Sequence, residues 1–111
     1  MYIKGLDEQT RENCANYTIY SAYQKSKEIG HDLIDFSELI WPDDVAEIVT
    51  TLKKNDVQEF TISHISSCLI DCLADFEKLG CKINGLTKIK TTLKNVDGTI
   101  QETNALKMKI F

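Results

Sequence analysis

The hydrophobic pattern changes its period twice between residues 57 and 83. Phe60 and Ile62 alternate with polar neighbours, as in a half-buried strand, and the period then lengthens to that of a helix. One face of this predicted helix is apolar, and it carries Ile65, Leu69, Cys72, Leu73, Phe76 and Leu79. After Gly80, residues 81–83 resume the alternation. The segment predicts a strand, a helix and a second strand, with the two strands paired in parallel through a right-handed crossover.

Residues 7–29 and 42–55 predict two further helices. The first has an acidic start and a basic end, as the helix dipole favours, and a glycine follows its last position, where a left-handed backbone conformation ends many helices. In the second, Pro42 and two aspartates form the start, and apolar residues recur at spacings of three and four. We expect residues 2–4 to add a short strand and residues 31–41 to form a compact connecting segment.

The last part of the chain predicts a β-hairpin. Asn84 and Gly85 mark a bulge or bend, after which threonine and aliphatic residues alternate with lysines. Residues 95–98 (NVDG) have the composition of a turn with glycine at a position of positive φ. Beyond the turn, residues 106–110 alternate again between aliphatic side chains and lysine. Two antiparallel strands joined by this turn are therefore expected.

These elements predict one globular domain over residues 1–111, of α/β (α+β) class. The expected sheet is small and mixed, with three to four strands built on the strand-helix-strand unit plus the C-terminal hairpin, and the N-terminal helices pack on it. With 42% hydrophobic and 27% charged residues, the composition is that of an ordinary globular protein. No signal peptide or membrane-spanning stretch is evident, so we expect a cytoplasmic protein that does not associate with membranes.

Charge is distributed unevenly along this acidic chain, whose net charge is −4. Residues 1–80 carry 7 basic and 15 acidic side chains, whereas residues 81–111 carry 6 basic and 2 acidic ones. Such a separation either steers a charged partner at long range or reflects two solvated faces that neutralise each other.

The strand-to-helix junction is a candidate site for a small anionic ligand. Ser63, His64, Ser66 and Ser67 lie where a strand ends and a helix is expected to begin, and exposed helix amides there attract phosphate or carboxylate. No glycine-rich loop accompanies them, however, and serines at a helix start also serve as plain caps. His64 has no carboxylate or cysteine beside it in sequence, so a surface histidine is favoured over an acid or base.

Lysines of the hairpin suggest a second candidate site, for nucleic acid. We expect five lysines to line one side of the paired strands, namely Lys88, Lys90, Lys94, Lys107 and Lys109. Such a row attracts phosphate, but no aromatic residues are interleaved for stacking, and outward lysines also protect strands from aggregation. A protein partner is therefore favoured over nucleic acid.

Aromatic and acidic residues suggest where a protein partner would bind. Tyr17 and Tyr20 belong to an aromatic ridge with Tyr23, which either roofs the core or faces a partner. Asp43 and Asp44 either contact a partner or serve only as the acidic start of a helix. We assign Tyr17, Tyr20, Asp43 and Asp44 as partner-binding residues.

No metal or cofactor is predicted. The four cysteines, at positions 14, 68, 72 and 81, are expected to be free thiols that behave as small hydrophobic residues, because the close spacing of zinc ligands is missing. The acidic residues Asp32, Asp35 and Glu38 lack the spacing of a calcium loop and are interpreted as solvated charges.

Residues 2–8 (YIKGLDE), 13–17 (NCANY), 59–63 (EFTIS) and 73–81 (LADFEKLGC) resemble a family of small uncharacterised proteins encoded on conjugative and other mobile elements of Gram-positive bacteria. The likeness covers nearly the whole chain and includes no catalytic motif. It implies accessory work, either regulation of transfer or inhibition of host defences such as restriction or CRISPR systems. The relatives are rich in serine and threonine at the junction, which argues against a catalytic role for His64.

The sequence thus predicts a non-enzymatic, protein-binding accessory factor of a mobile element, with an anti-CRISPR or anti-restriction inhibitor as one form of that role. Two alternatives remain: nucleic-acid binding through the lysine-rich hairpin, and a small anionic ligand or enzymatic site at residues 63–67. The identity of the partner, the strand order and the oligomeric state are left open.

Overall fold

The computed structural model describes residues 3–8, 17–37, 40–64 and 67–111. Within these ranges the elements are α1 (Lys4–Asp7), α2 (Tyr17–Ile29), β1 (Asp35–Phe36), α3 (Pro42–Lys54), β2 (Glu59–Ile62), α4 (Leu69–Lys78), β3 (Cys81–Lys94) and β4 (Ile100–Ile110). The predicted α+β class with a small mixed sheet is confirmed. No helix in the described ranges is long and apolar enough to cross a membrane.

The boundaries of the N-terminal helices agree in part with the sequence. α3 begins at Pro42 as predicted and ends at Lys54, with Asn55, the predicted last residue, as its C-cap. α2 ends at Ile29 before a glycine with φ of +90°. The strand expected at residues 2–4 is wrong for its described part, because Lys4 already begins α1. Residues 9–16, in the middle of the long predicted helix, lie outside the described residues. The connecting segment contains the two-residue strand β1.

α4 is shorter than the apolar pattern predicts. It begins at Leu69, and Cys68 occupies the N-cap position without a side-chain cap, whereas the pattern places the start of the apolar stripe at residue 65, outside the described residues. Cys72 and Phe76 are buried as expected, and Gly80 ends the helix with a φ of +88°.

The sheet has the strand order β1-β2-β4-β3 among the described residues. β1 pairs with β2 in parallel, and β4 pairs antiparallel with both β2 and β3. β2 and β3 therefore run in the same direction, but the predicted direct pairing between them is wrong because β4 lies in between. The hairpin explains this order: a short turn places β4 beside β3, and the far edge of β4 then remains available to β2.

The bulge predicted at Asn84 and Gly85 is confirmed. Ile83 lies opposite Met108 and Leu86 opposite Leu106, so two residues of β3 face a single residue of β4. Gly85 has a φ of +102°, a conformation that favours glycine. A second irregularity of register follows between Lys90 and Lys94.

The strand register divides the sheet into two faces. The apolar face carries Phe36, Phe60, Ile62, Ile83, Leu86, Leu106, Met108 and Ile110. The polar face carries Asp35, Glu59, Thr61, Lys82, Thr87, Lys107 and Lys109. The core lies on the apolar face, where the ring centroid of Phe60 is 5.4 Å from that of Phe76 and 5.7 Å from that of Phe36. Helices α1 to α4 all contribute buried side chains to this core.

Candidate functional site

In the described part of the strand-to-helix junction, the candidate anion site, the side chains of Ser63 and His64 form hydrogen bonds within the fold. The Ser63 hydroxyl donates a hydrogen bond to Asp35 Oδ2 at 2.7 Å, so Ser63 is not the helix cap that the sequence suggests. Ser67 is exposed in a turn before α4, and Ser66 lies outside the described residues. His64 Nδ1 lies 3.2 Å from the Phe36 carbonyl oxygen. Because a carbonyl only accepts, this nitrogen donates, and the histidine serves to join two strand ends.

Asp35 is buried, although the sequence suggests a solvated charge. Its side chain is 2% exposed, and its carboxylate accepts hydrogen bonds from the Thr61 hydroxyl at 2.5 Å and the Ser63 hydroxyl at 2.7 Å. The Asp35 amide donates to Ser26 Oγ at 2.9 Å, which joins β1 to α2. Hydrogen bonds to both carboxylate oxygens offset part of the cost of burying the group. Asp35 therefore holds α2, β1 and β2 together.

A sequence signal for this buried carboxylate exists in retrospect. Asp35 stands between Ile34 and Phe36, which are both 1% exposed, and the next strand offers hydroxyls at alternate positions 61 and 63. An acid flanked by core residues and matched by hydroxyls of period two is typical of a satisfied polar group within a sheet.

A groove of about 500 Å³ lies on the polar face of the sheet. Its lining includes Thr61, Thr87 and the ion pair in which Lys107 Nζ is 3.2 Å from Glu59 Oε2. At its rim His31 is 8% exposed, and His31 Nε2 donates to the Lys90 carbonyl oxygen at 2.7 Å. His31 Nδ1 has no hydrogen-bond partner among the described residues. The groove is polar. Glu59 and Lys107 pair with each other, whereas the other charged residues of its lining, Asp32, Lys88, Lys90 and Glu102, form no ion pair with a described residue.

The described cysteines have no features of a reactive or metal-binding site. The thiols of Cys68 and Cys72 each lie 3.3 Å from the Ile40 carbonyl oxygen, to which both donate. Burial, with a smaller contribution from Cys68, raises the pKa of the Cys72 thiol to about 11, and burial also raises the pKa of Cys81. Both groups are therefore protonated at neutral pH, while nucleophilic attack and metal binding require the thiolate. Within the described ranges no three His, Cys, Asp or Glu side chains are placed to hold a metal ion.

The five hairpin lysines do not share one side of the hairpin, so that prediction is wrong. Lys88 and Lys90 lie opposite Asn104 and Glu102 and extend the apolar face, whereas Lys107 and Lys109 are on the polar face. The bulge is the cause: the extra residue shifts the register by one, and a shift of one moves every following side chain to the other face. Lys94 lies beyond the second irregularity, opposite Ile100.

An exposed apolar surface lies where α4 meets β3. A groove of about 420 Å³ between these elements is lined by Ile70, Leu73 and Ile83, among others, and Leu86 follows Ile83 along the same face of β3. Ile70 is 79% exposed, Ile83 52% and Leu86 75%. We call Ile70, Leu73, Ile83 and Leu86 the outer apolar patch. In the described part of the chain β4 is the one strand paired with β3, so the outer edge of β3 borders this patch without a strand neighbour.

The partner-binding residues expected from the sequence lie elsewhere. Tyr17 is 53% exposed, and its ring centroid is 6.4 Å from that of the half-buried Tyr20. Asp43 is exposed, whereas Asp44 Oδ2 accepts a hydrogen bond from the Trp41 amide at 3.3 Å and so caps α3.

The outer apolar patch itself was missed by sequence reasoning. The available signal was Ile70, an isoleucine outside the apolar stripe of its helix and thus in a position where a polar residue is typical.

Comparison with known proteins gives one match. A family model described as a domain of unknown function (DUF7698) matches residues 18–110. This agrees with the expected likeness to an uncharacterised family, and it indicates no enzyme class. Searches of curated proteins and of solved structures found no match.

Proposed function

We propose that this chain, which belongs to the DUF7698 family, is a non-enzymatic protein-binding factor whose partner docks on the outer apolar patch. The patch is the observation that carries this proposal. The likeness to proteins of mobile elements supports an accessory role in the cytoplasm, with inhibition of a host defence as one form of it.

Exposure of large aliphatic side chains at one place supports a protein partner. Ile70 and Leu86 each expose about three quarters of their surface to water, and Ile83 exposes about half. Scattered apolar residues are normal on a protein surface, but a contiguous group around a groove is typical of an interaction site. Burying such side chains in an interface stabilises a complex by roughly 25 cal/mol for each Å² of apolar surface removed from water.

The polar candidate residues Asp35 and Glu59 support this proposal because their carboxylates already have partners within the fold. The carboxylate of Asp35 is occupied by two hydroxyl donors, and Glu59 is paired with Lys107. A catalytic group needs capacity for substrate, whereas these groups spend their hydrogen-bonding capacity within the fold. Lys88, Lys90 and Lys107 all line the polar groove, but Glu59 and Glu102 line it too, and these acids weaken the case for a nucleic-acid surface because carboxylates repel phosphate.

Substitution of the patch tests the proposal. Affinity capture with the tagged protein from a Gram-positive host lysate provides the partner, and its Kd is then measured for Ile70→Asp and Leu86→Asp. Val96→Asp is the matched control, because Val96 is a fully exposed aliphatic residue in the hairpin turn. We expect each patch variant to weaken binding by about tenfold or more, as for truncated hot-spot residues, and the control to bind as the wild type does.

Thermal unfolding of each variant shows whether the fold is retained. Equal midpoints with lost binding would support the patch as the docking site. Wild-type affinity in both patch variants, with the fold intact, would overturn the proposal.

A further inference from the structure

We infer that the partner contributes an acidic, extended segment that pairs with the outer edge of β3 as an added strand. This inference rests on the proposed function, since it names the chemistry of the partner that covers the outer apolar patch. Three observations carry it: the edge of β3 that no described strand covers, the charge of β3 and the order of apolar and basic side chains along it.

The edge of β3 is long enough to receive a strand ahead of Lys90, whose carbonyl oxygen already accepts a hydrogen bond from His31 Nε2 at 2.7 Å. β3 covers 14 residues and lies at the end of the strand order, where β4 is its one strand neighbour within the described ranges. An unpaired strand edge presents backbone N–H and C=O groups, and extended peptides bind such edges by adding a strand. Exposed side chains surround this edge over residues 82–86.

The charge of β3 selects an acidic occupant. The strand carries Lys82, Lys88, Lys90 and Lys94, all exposed, and no acidic residue, in a chain whose net charge is −4. None of these four lysines forms an ion pair with a described residue. Lys82 even lies directly opposite Lys109, and like charges in that position repel.

A second copy of the chain fits the edge poorly. Pairing two β3 strands edge to edge would bring four lysines of one copy beside four of the other, with no acid on either strand. Lysines on an edge strand are a known protection against such self-association. The same charges attract a partner of opposite sign, so the edge favours a different chain over its own copy.

The order of side chains along β3 predicts the pattern of the partner segment. On the apolar face, Ile83 and Leu86 come first and the lysines at positions 88 and 90 follow. Side chains of an added strand on that face lie beside these residues. The segment should therefore carry aliphatic residues beside Ile83 and Leu86 and acidic residues beside Lys88 and Lys90.

A synthetic peptide provides the test. The probe is an extended peptide of about eight residues, a common strand length, with valine at two alternate positions and glutamate at the next two, threonine in between. A peptide with the reversed order covers the other strand direction, and a third with lysine in place of glutamate is the charge control. Binding is measured by titration calorimetry, and protection of the backbone amides of residues 82–94 by NMR hydrogen exchange.

We expect one of the two acidic peptides to bind and to slow exchange of β3 amides, and the lysine peptide to do neither. Lys88→Glu with Lys90→Glu should weaken that binding by about tenfold or more, because like charges then face each other. Lys4→Glu with Lys54→Glu changes the net charge equally at exposed positions of α1 and α3 and should leave the affinity unchanged.

Other outcomes overturn the inference and separate it from the proposed function. If no peptide protects β3, but the captured partner still depends on Ile70 and Leu86, the acidic strand is wrong and the docking patch stands. If the partner is insensitive to those residues as well, both fail. Concentration-dependent dimerisation that protects β3 would assign the edge to a second copy. Tight, salt-sensitive binding of duplex DNA that depends on Lys88 and Lys90 would assign it to nucleic acid.

Discussion

The two faces of the sheet differ in whether their side chains find partners within the molecule. On the polar face, the Asp35 carboxylate, the Ser26 hydroxyl and the Glu59–Lys107 pair all have internal contacts. On the apolar face, the inner part is buried against the helices, but Ile83 and Leu86 remain largely exposed. The polar residues thus contact one another and stabilise the fold, whereas Ile83 and Leu86 on the apolar face remain exposed to solvent.

The comparison is sharpest within α4, where Phe76 lies in the core and Ile70 in the outer apolar patch. Phe76 is 0% exposed and its ring contacts that of Phe60, so Phe76→Ala should destabilise the fold by about 3–5 kcal/mol through the cavity it leaves. Ile70→Ala should change the free energy of unfolding by about 0.5 kcal/mol or less. Urea unfolding monitored by circular dichroism measures both, and an equal midpoint for Phe76→Ala and wild type would contradict the packing.

Substitution of Asp35 tests whether the polar face contributes to the stability of the fold. Asp35→Ala removes the acceptor of the Thr61 and Ser63 hydroxyls, and Thr61 is 1% exposed, so unfolding should become easier by about 3 kcal/mol. Asp32→Ala is the matched control, because Asp32 is exposed in the same segment. A loss of partner binding by Asp35→Ala without a loss of stability would instead place function on the polar face.

A smaller effect concerns the contact between α1 and α2, where Lys27 Nζ lies 2.5 Å from Asp7 Oδ1. The hydrogen bond from Lys27 lowers the pKa of Asp7 below its ordinary 3.8. Because the folded-state pKa is depressed, the contact stabilises the fold above pH 3.8, and this contribution is lost as the pH falls through the folded-state pKa.

Lys27→Met should therefore lower stability near neutral pH and have less effect in acid, whereas Lys25→Met, at an exposed position of α2, should have little effect at either pH. Free energies of unfolding from urea titrations on both sides of pH 3.8 measure this difference. A Lys27→Met deficit that is constant with pH would contradict the assignment.

Periodicity predicted the elements well because local signals determine them. Pro42 marks the start of α3, Gly80 the end of α4, and Asn84-Gly85 the bulge. Strand order is a different matter, since β4 reaches its place between β2 and β3 only through long-range pairing that no local pattern encodes.

The candidate sites were harder to predict because they depend on the register of the strands. The bulge was predicted from the sequence, but its consequence, the transfer of Lys88 and Lys90 to the apolar face, requires knowing which residues of β4 lie opposite. The exposure of Ile83 and Leu86 likewise depends on how far α4 covers β3. Asp35 appeared solvated because its hydroxyl donors are distant in sequence, at positions 61 and 63.

Leu86 and Thr87 provide the most direct test of the central claim, that the partner binds the apolar face at the outer edge of the sheet. They are neighbours in β3 and lie on opposite faces, opposite Leu106 and Ala105. Calorimetric titration of the captured partner against Leu86→Asp and Thr87→Asp compares the two faces with the same new charge on the same strand. We predict that Leu86→Asp loses most of the affinity and Thr87→Asp retains it. Loss of binding in Thr87→Asp alone would contradict the account and move the docking site to the polar groove.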